Sequence, residues 1–119
     1  MSVASLPMYD LTALHEETDR LWAAIRTAFE ARGIDAPEHL DRSRCTADLW
    51  TDPDLLLSQT CGMPYRKWLH DKVTLIGTPD YGVKGCEAGY YNSVIVVRAD
   101  DQRTDLPAYR EALFTYNQT

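Results

Sequence analysis

LLLSQTCGMP, the stretch Leu55–Pro64, opens with three consecutive leucines and follows the turn-forming pair Asp52-Pro53. An apolar run of this length, bounded by turn residues, is typical of a β-strand buried on both faces, which we predict for Leu55–Ser58. The polar residues then fall at the carboxyl end of the strand, where ligands bind in open α/β sheets. A helix over Pro64–His70 would add free backbone N–H groups that favour an anion. The stretch therefore predicts a site for a small, negatively charged ligand.

The composition bounds the class of protein. A chain of 119 residues is long enough for one domain with a modest core. No apolar run is long enough to span a bilayer, and the first residues lack the features of a signal peptide, so the literal expectation is a cytosolic protein. The net charge of −6 argues against nucleic acid as a partner, because such proteins usually carry a basic face. A small anion is still compatible, since its site depends on local N–H groups and hydroxyls.

Cysteine and histidine spacing predicts neither a metal site nor a cofactor. The three cysteines match no paired zinc signature, and we expect Cys45 to be a buried thiol. Cys61 and Cys86 lie in loops that could face one crevice, so both a disulfide between them and two free thiols stay open. The histidines do not cluster in the sequence, where they occur at His15, His39 and His70.

The first third of the chain predicts a strand followed by a long helix. Val3–Met8 is a short apolar stretch, which we interpret as the first strand. Apolar residues then recur at three- and four-residue steps, as on one face of an amphipathic helix, at Leu11, Leu14, Leu21, Trp22, Ile25, Ala28 and Phe29. Asp10 is the predicted N-cap of this helix, and Gly33 is its predicted stop.

The remaining elements complete an α/β pattern with a mostly parallel sheet and flanking helices. A short helix is predicted over Ser43–Trp50, with Ser43 as its cap and Asp52-Pro53 as its end. Further strands are predicted at Val73–Gly77, Ser93–Val97 and Leu113–Tyr116. A polar turn over 100–107 would lead to a short helical segment. A flexible loop is predicted around Gly82, Gly85 and Gly89.

Several runs, in one order, resemble a known family. They are SLPMYD at Ser5–Asp10, LLLSQTCGMP at Leu55–Pro64, IGTPDY at Ile76–Tyr81, the pair Gly85-Cys86, and YNSVIVVRADD at Tyr91–Asp101. The family is the phosphate/phosphonate-binding group of ABC-transporter solute-binding proteins, which have the type II periplasmic-binding-protein fold. Its members are roughly twice as long and form two lobes around a cleft. The resemblance implies that residues 1–90 form the first lobe, and that 91–119 hold the crossing strand and the beginning of a truncated second lobe.

The resemblance also implies a function without catalysis. The protein would bind phosphate, phosphite or a phosphonate, would deliver it to an ABC-transporter permease, and would be periplasmic. The ligand-binding residues that it implies are Tyr9, Gln59, Thr60, Cys61, Gly62, Met63, Tyr65, Tyr81, Tyr91 and Asn117. The family often has tyrosine where this chain has Met63, so no hydroxyl contact carries over to that position.

The residues by themselves leave alternatives for these side chains. Thr60 and the N–H groups of Cys61–Met63 could hold an oxyanion, or Thr60 could cap the following helix. For Tyr9 we favour a ligand contact. For Tyr65, a ligand contact and a position at the edge of the core are equally consistent with the sequence. For Tyr91, packing within a strand is at least as common as binding.

Two other classes of function remain as alternatives. The first alternative is an enzyme that depends on Cys61, because a thiol at a helix N-terminus can act as a nucleophile. It would need a histidine within reach, and His70 lies about two helical turns away. The second alternative is a stand-alone sensory or interaction domain. In that case, if the chain ends at Thr119, an exposed crossing strand could pair with its copy and form a homodimer.

Overall fold

In the computed structural model, which describes residues 1–116, the leucine strand pairs with the start of the chain. Strand β1 spans Val3–Ser5 and strand β2 spans Leu55–Ser58, and the two are parallel. Val3 pairs with Leu55, whereas the next residue of β1, Ala4, pairs with Leu57. Leu56 is therefore an extra residue, as in a β-bulge. Both strands were predicted from the sequence and are confirmed, although β1 ends before the predicted Met8.

Helices lie in the connection between the two strands and in the segment that follows β2. A 3₁₀ turn over Thr12–Leu14 leads into α1, His15–Glu30, and a short helix α2 spans Thr46–Trp50. Helix α3, Gly62–Pro64, continues directly into a π-helical turn over Tyr65–Leu69. Helices combined with a small parallel sheet make this a mixed α/β protein, as predicted. Of the helices within residues 1–116, none is long and apolar enough to cross a membrane.

The core of the first unit forms where α1 packs against the sheet. Its buried members are Ala4, Leu6, Trp22, Ala36 and Leu40. Ile25 and Phe29 of α1 pack against this cluster, as do Leu56 and Leu57 of β2. Consecutive residues of a regular strand face opposite sides, so the bulge accounts for two neighbouring leucines contacting one cluster. The prediction that β2 is buried on both faces was wrong: its residues are half-buried, because the sheet has only two strands.

Helix α1 ends as the sequence predicts. Gly33 has φ of +72°, a left-handed conformation that glycine adopts without steric cost. Its N–H donates to the Glu30 carbonyl at 2.9 Å, and the Ile34 N–H donates to the Phe29 carbonyl at 3.0 Å. These two bonds form a Schellman motif, which satisfies carbonyls that the end of the helix would otherwise leave unpaired.

The two predicted N-caps were wrong, because each side chain has a stronger partner elsewhere. No side chain caps α1, and the Asp10 carboxylate instead accepts two hydrogen bonds from Arg42. Helix α2 begins after Cys45, and the Ser43 hydroxyl donates to the Asp41 carboxylate at 2.8 Å. Bonds to an ionised partner are stronger than bonds to a neutral peptide group, which favours these arrangements.

The chain divides into two units, Met1–Thr74 and a second unit described over 75–116. This division falls earlier in the chain than the predicted boundary between residues 90 and 91. The second unit contains a 3₁₀ turn over Leu106–Tyr109, which begins inside the polar turn predicted over 100–107 and before the predicted helical segment. Among the described residues, the strands predicted at Val73–Gly77, Ser93–Val97 and Leu113–Tyr116 do not form. A strand needs a neighbour to pair with, and within 1–116 only β1 and β2 pair.

Candidate functional site

Two segments meet at the carboxyl ends of β1 and β2. The Met8 N–H donates to the Gln59 side-chain oxygen at 3.3 Å. The Cys61 Sγ lies 3.4 Å from the Met8 Sδ. Met8 directly precedes Tyr9, so the loop after β1 lies beside the turn after β2. We refer to Met8–Tyr9 and Gln59–Met63 together as the strand-end site.

A pair of serines joins the two strands directly beneath the strand-end site. Ser5 is the last residue of β1 and is buried, and Ser58 is the last residue of β2. Their hydroxyl oxygens are 2.7 Å apart, so one hydroxyl donates to the other. Because a buried hydroxyl without a partner is unfavourable, this bond fixes the relative position of the two strand ends.

The turn after β2 is held by a tryptophan. Trp50, at the end of α2, is buried, and its indole Nε1–H donates to the Gln59 carbonyl at 2.9 Å. The Ser58 hydroxyl is 3.3 Å from the same carbonyl oxygen. The Trp50 ring also lies 6.4 Å from the ring of Trp68, measured between centroids. These contacts set the path of the backbone just before Thr60.

The first turn of α3 presents backbone donors. Cys61 occupies the N-cap position but its side chain does not cap the helix, and its carbonyl accepts from the Tyr65 N–H at 3.3 Å. Thr60 does not cap the helix, because its hydroxyl lies against the Cys61 carbonyl at 3.2 Å. The N–H groups of Gly62 and Met63 have no acceptor within residues 1–116, as expected at the start of a helix. Both residues are exposed, so these two donors can reach a ligand.

Tyr9 has an unusual backbone conformation. Its φ of +63° lies in the left-handed region, which costs a non-glycine residue about 1–2 kcal/mol. The Tyr9 carbonyl accepts from the Leu11 N–H at 2.8 Å, which closes a tight turn after it. The residue is 54% exposed. Strained residues of this kind concentrate at binding sites, so this conformation supports a ligand contact at Tyr9.

The charge next to Tyr9 is compensated. The Arg42 guanidinium contacts the Asp10 carboxylate with distances of 2.6 and 3.2 Å, and it also lies 2.8 Å from Asp19. The hydrogen bond from Arg42 lowers the pKa of Asp10, against a smaller opposing effect of burial. Asp10 is therefore ionised at neutral pH, but its negative charge is paired. An anion at the strand-end site meets little net repulsion from this carboxylate.

Other predicted site residues lie apart from this arrangement. Tyr65 is half-buried in the helical turn after α3, and its hydroxyl makes no hydrogen bond within residues 1–116. Tyr81 and Tyr91 belong to the second unit, where both are exposed. Asn117 lies outside the described residues.

The cysteines are free thiols, including Cys61 and Cys86, for which a disulfide had been left open. Cys45 is exposed, so the prediction of a buried thiol there was wrong. The Cys61 thiol contacts a thioether, which is a poor proton acceptor, and within 1–116 no histidine lies against it. His70 instead pairs with the adjacent Asp71 at 3.2 Å. The described residues contain no group of three or more histidines, cysteines and acidic residues placed to hold a metal ion.

Sequence reasoning missed the residues that support the site. The sequence predicts a supporting role for none of the three: Trp50 ends a predicted helix, Ser5 lies inside the predicted strand Val3–Met8, and Ser58 ends the predicted strand Leu55–Ser58. A signal was present for Ser58, which closes the apolar run Leu55–Leu57, but not for Ser5, which lies inside the apolar stretch Val3–Met8. The contact between Met8 and Cys61 depends on the conformation of the Tyr9 turn, which no local pattern indicates.

The comparison with known proteins leaves the site as the main guide to function. No protein-family model matches this chain, and no characterised protein or solved structure matches it at a significant level. Chemically, the strand-end site combines two exposed backbone donors, a threonine hydroxyl and an exposed tyrosine, with no uncompensated carboxylate beside Tyr9. This set favours an anionic ligand that accepts several hydrogen bonds.

Proposed function

We propose that the first unit binds a small oxyanion, such as phosphate, phosphite or a phosphonate, at the strand-end site. The observation that carries this proposal is the meeting of Met8–Tyr9 with Gln59–Met63 at the carboxyl ends of two parallel strands. Ligands of open α/β sheets bind at this edge. The bound oxygens would accept from the N–H groups of Gly62 and Met63.

The Thr60 hydroxyl and the Tyr9 hydroxyl would complete the ligand shell. A hydroxyl rotates at little cost, so the Thr60 proton can leave the Cys61 carbonyl, 3.2 Å away, and turn to a charged acceptor. The Trp50 bond would keep the Gln59 carbonyl from turning toward the anion, where a second negative dipole would repel it. A few hydrogen bonds on an open surface supply a modest affinity, with a Kd on the order of 1 mM.

We further propose that this unit is the ligand-binding lobe of an ABC-transporter solute-binding protein of the type II fold, with a permease as partner. The order of five sequence motifs supports this assignment, and two of them, SLPMYD and LLLSQTCGMP, contain residues of β1 and β2 in the first unit. The parallel pairing of β1 with β2, with α1 in the connection between them, agrees with such a lobe. A second lobe closing over the anion would raise the affinity by adding donors and excluding water.

The test is a titration monitored through backbone amide NMR signals. Phosphate, phosphite, methylphosphonate and sulfate are added in turn at constant ionic strength, and the shifts of residues 59–63 are followed. We expect saturable shifts at Gly62 and Met63 for at least one of these anions. If no amide of 59–63 shifts at tens of millimolar of any of them, the oxyanion proposal is wrong.

A matched pair of variants separates binding from a general effect. Thr60 and Thr27 each donate a hydroxyl to a backbone carbonyl, at 3.2 and 2.9 Å, but Thr27 lies on α1 away from the site. Thr60→Ala should weaken anion binding several-fold, and Thr27→Ala should leave it unchanged. Equal affinities for the two variants would remove Thr60 from the proposed ligand shell.

A further inference from the structure

An apolar run in the second unit has no strand partner within residues 1–116. Residues 91–97, YNSVIVV, make no backbone hydrogen bond with any other residue of the described 1–116. The exposed fractions are 79% for Val94, 62% for Ile95, 82% for Val96 and 51% for Val97. Four consecutive β-branched side chains are therefore open to solvent together with their peptide groups.

The composition of this run favours pairing with another strand. Valine and isoleucine prefer strands, and Ser93–Val97 contains no charge, proline or glycine that would oppose pairing. Val94–Val97 also line an open cleft of the second unit, whose other apolar members include Leu106, Leu113 and Phe114. These side chains are at least 66% exposed. Both a row of backbone groups and an apolar surface beside it are thus available to a partner.

We infer that Ser93–Val97 pairs with the same segment of a second copy, as antiparallel strands related by a two-fold axis. Antiparallel pairing of a segment with itself is self-complementary, so it closes into a dimer without extending further along that edge. Backbone bonds would supply the affinity, and the valine and isoleucine side chains would pack across the pair. This inference is independent of anion binding by the first unit.

The charge of Arg98, directly after the run, favours antiparallel over parallel pairing of the two copies. With the two-fold axis at Ile95, Val94 lies opposite Val96, and Arg98 lies opposite Asn92. A parallel pair in register would instead place Arg98 against Arg98, which is unfavourable. Arg98 can keep its two hydrogen bonds to the Asp100 carboxylate, at 2.9 and 2.8 Å, because that fork lies outside the paired segment. No like charges oppose each other along the pair.

The experiment combines sedimentation velocity with hydrogen exchange on the full chain over a range of concentrations. We expect a monomer–dimer equilibrium in which the amides of 93–97 gain protection as the dimer fraction rises. Ile95→Lys places two ammonium groups across the axis and should weaken the dimer at least about tenfold. Leu21→Lys is the control: Leu21 is 50% exposed on α1 in the first unit, and the same change there should leave the dimer unaffected.

Each other result would overturn the inference. A monomer at every concentration would exclude self-pairing and would leave the run free for a strand of another protein. A dimer that Ile95→Lys does not weaken, or that forms without protection of 93–97, would place the interface elsewhere. Open-ended growth into larger assemblies would exclude a closed two-fold pair. Because 93–97 is exposed in the monomer, Ile95→Lys should preserve the far-UV circular dichroism of the monomer, which checks that the variant is folded.

Discussion

The indole of Trp50 offers a direct test of how the strand-end site is held. The substitution Trp50→Phe keeps an aromatic ring and removes the Nε1–H that donates to the Gln59 carbonyl at 2.9 Å. A hydrogen bond of this kind contributes about 1 kcal/mol net to stability. The Gln59 carbonyl keeps the Ser58 hydroxyl at 3.3 Å, so it is not left without a donor. The smaller ring loses packing in a buried position, which adds about 1 kcal/mol.

The expected total is a loss of about 1–2 kcal/mol in the free energy of unfolding, measured by urea denaturation followed by far-UV circular dichroism. At a typical urea dependence for a small domain, the midpoint falls by about 1 M. The turn after β2 would also lose its fixed path. Under the proposed function, phosphate binding weakens roughly three- to tenfold as a consequence.

Trp22→Phe is the matched control. Trp22 is also buried, and its indole also donates to a backbone carbonyl, that of Pro37 at 3.1 Å, but in the core below α1. This variant should lose a similar amount of stability while keeping its anion affinity. If Trp22→Phe weakens binding as much as Trp50→Phe does, the effect comes from global stability, and the reasoning about the Gln59 turn is refuted. An unchanged urea midpoint for Trp50→Phe would refute the bond itself.

Three further experiments test the fold of the first unit. Gly33→Ala should lower the free energy of unfolding by about 1 kcal/mol, because φ of +72° is strained for alanine although no neighbouring atom would clash; thermal denaturation measures it. Since Arg42 lowers the pKa of Asp10 below 3.8, the stability from this pair is present above that ordinary value and is lost as the pH falls through the lower folded value. Arg42→Met should therefore reduce the loss of stability as the pH falls below about 4, seen in urea midpoints. A double-mutant cycle of Ser5→Ala and Ser58→Ala should give a coupling energy of about 1 kcal/mol, and additive effects would contradict the 2.7 Å bond.

Elements with a strong local signal could be predicted from the sequence. The apolar periodicity of α1, the glycine that ends it and the bounded leucine run of β2 all depend on neighbouring residues, and all three are confirmed. The predicted strand at Ser93–Val97 failed for a non-local reason. A β-forming run becomes a strand only when another edge is present, and propensity cannot supply that edge.

The meeting of Met8–Tyr9 with Gln59–Met63 could be expected from the sequence, but the residues that support it could not. The two segments each follow an apolar run, and ligands of open α/β sheets bind at the carboxyl edge, so the sequence places a candidate site there. Asp10 was misassigned as a cap because Arg42 is 32 residues away in the sequence, and a partner at that distance leaves no local pattern. The left-handed backbone of Tyr9 likewise depends on the surrounding packing and has no signature in a tyrosine side chain.

The parallel pairing of β1 with β2 also fixes an order of events during synthesis. Val3 pairs with Leu55, which lies 52 positions later in the sequence, so among the strands within residues 1–116 β1 has no partner until β2 has been made. At about 5–20 residues per second, the ribosome needs roughly 3–10 s to add that length. Closing so long a connection also slows the search for the native register compared with a hairpin. The nascent chain therefore emerges with its α1 segment able to form local structure while the apolar segment Val3–Leu6 is still unpaired.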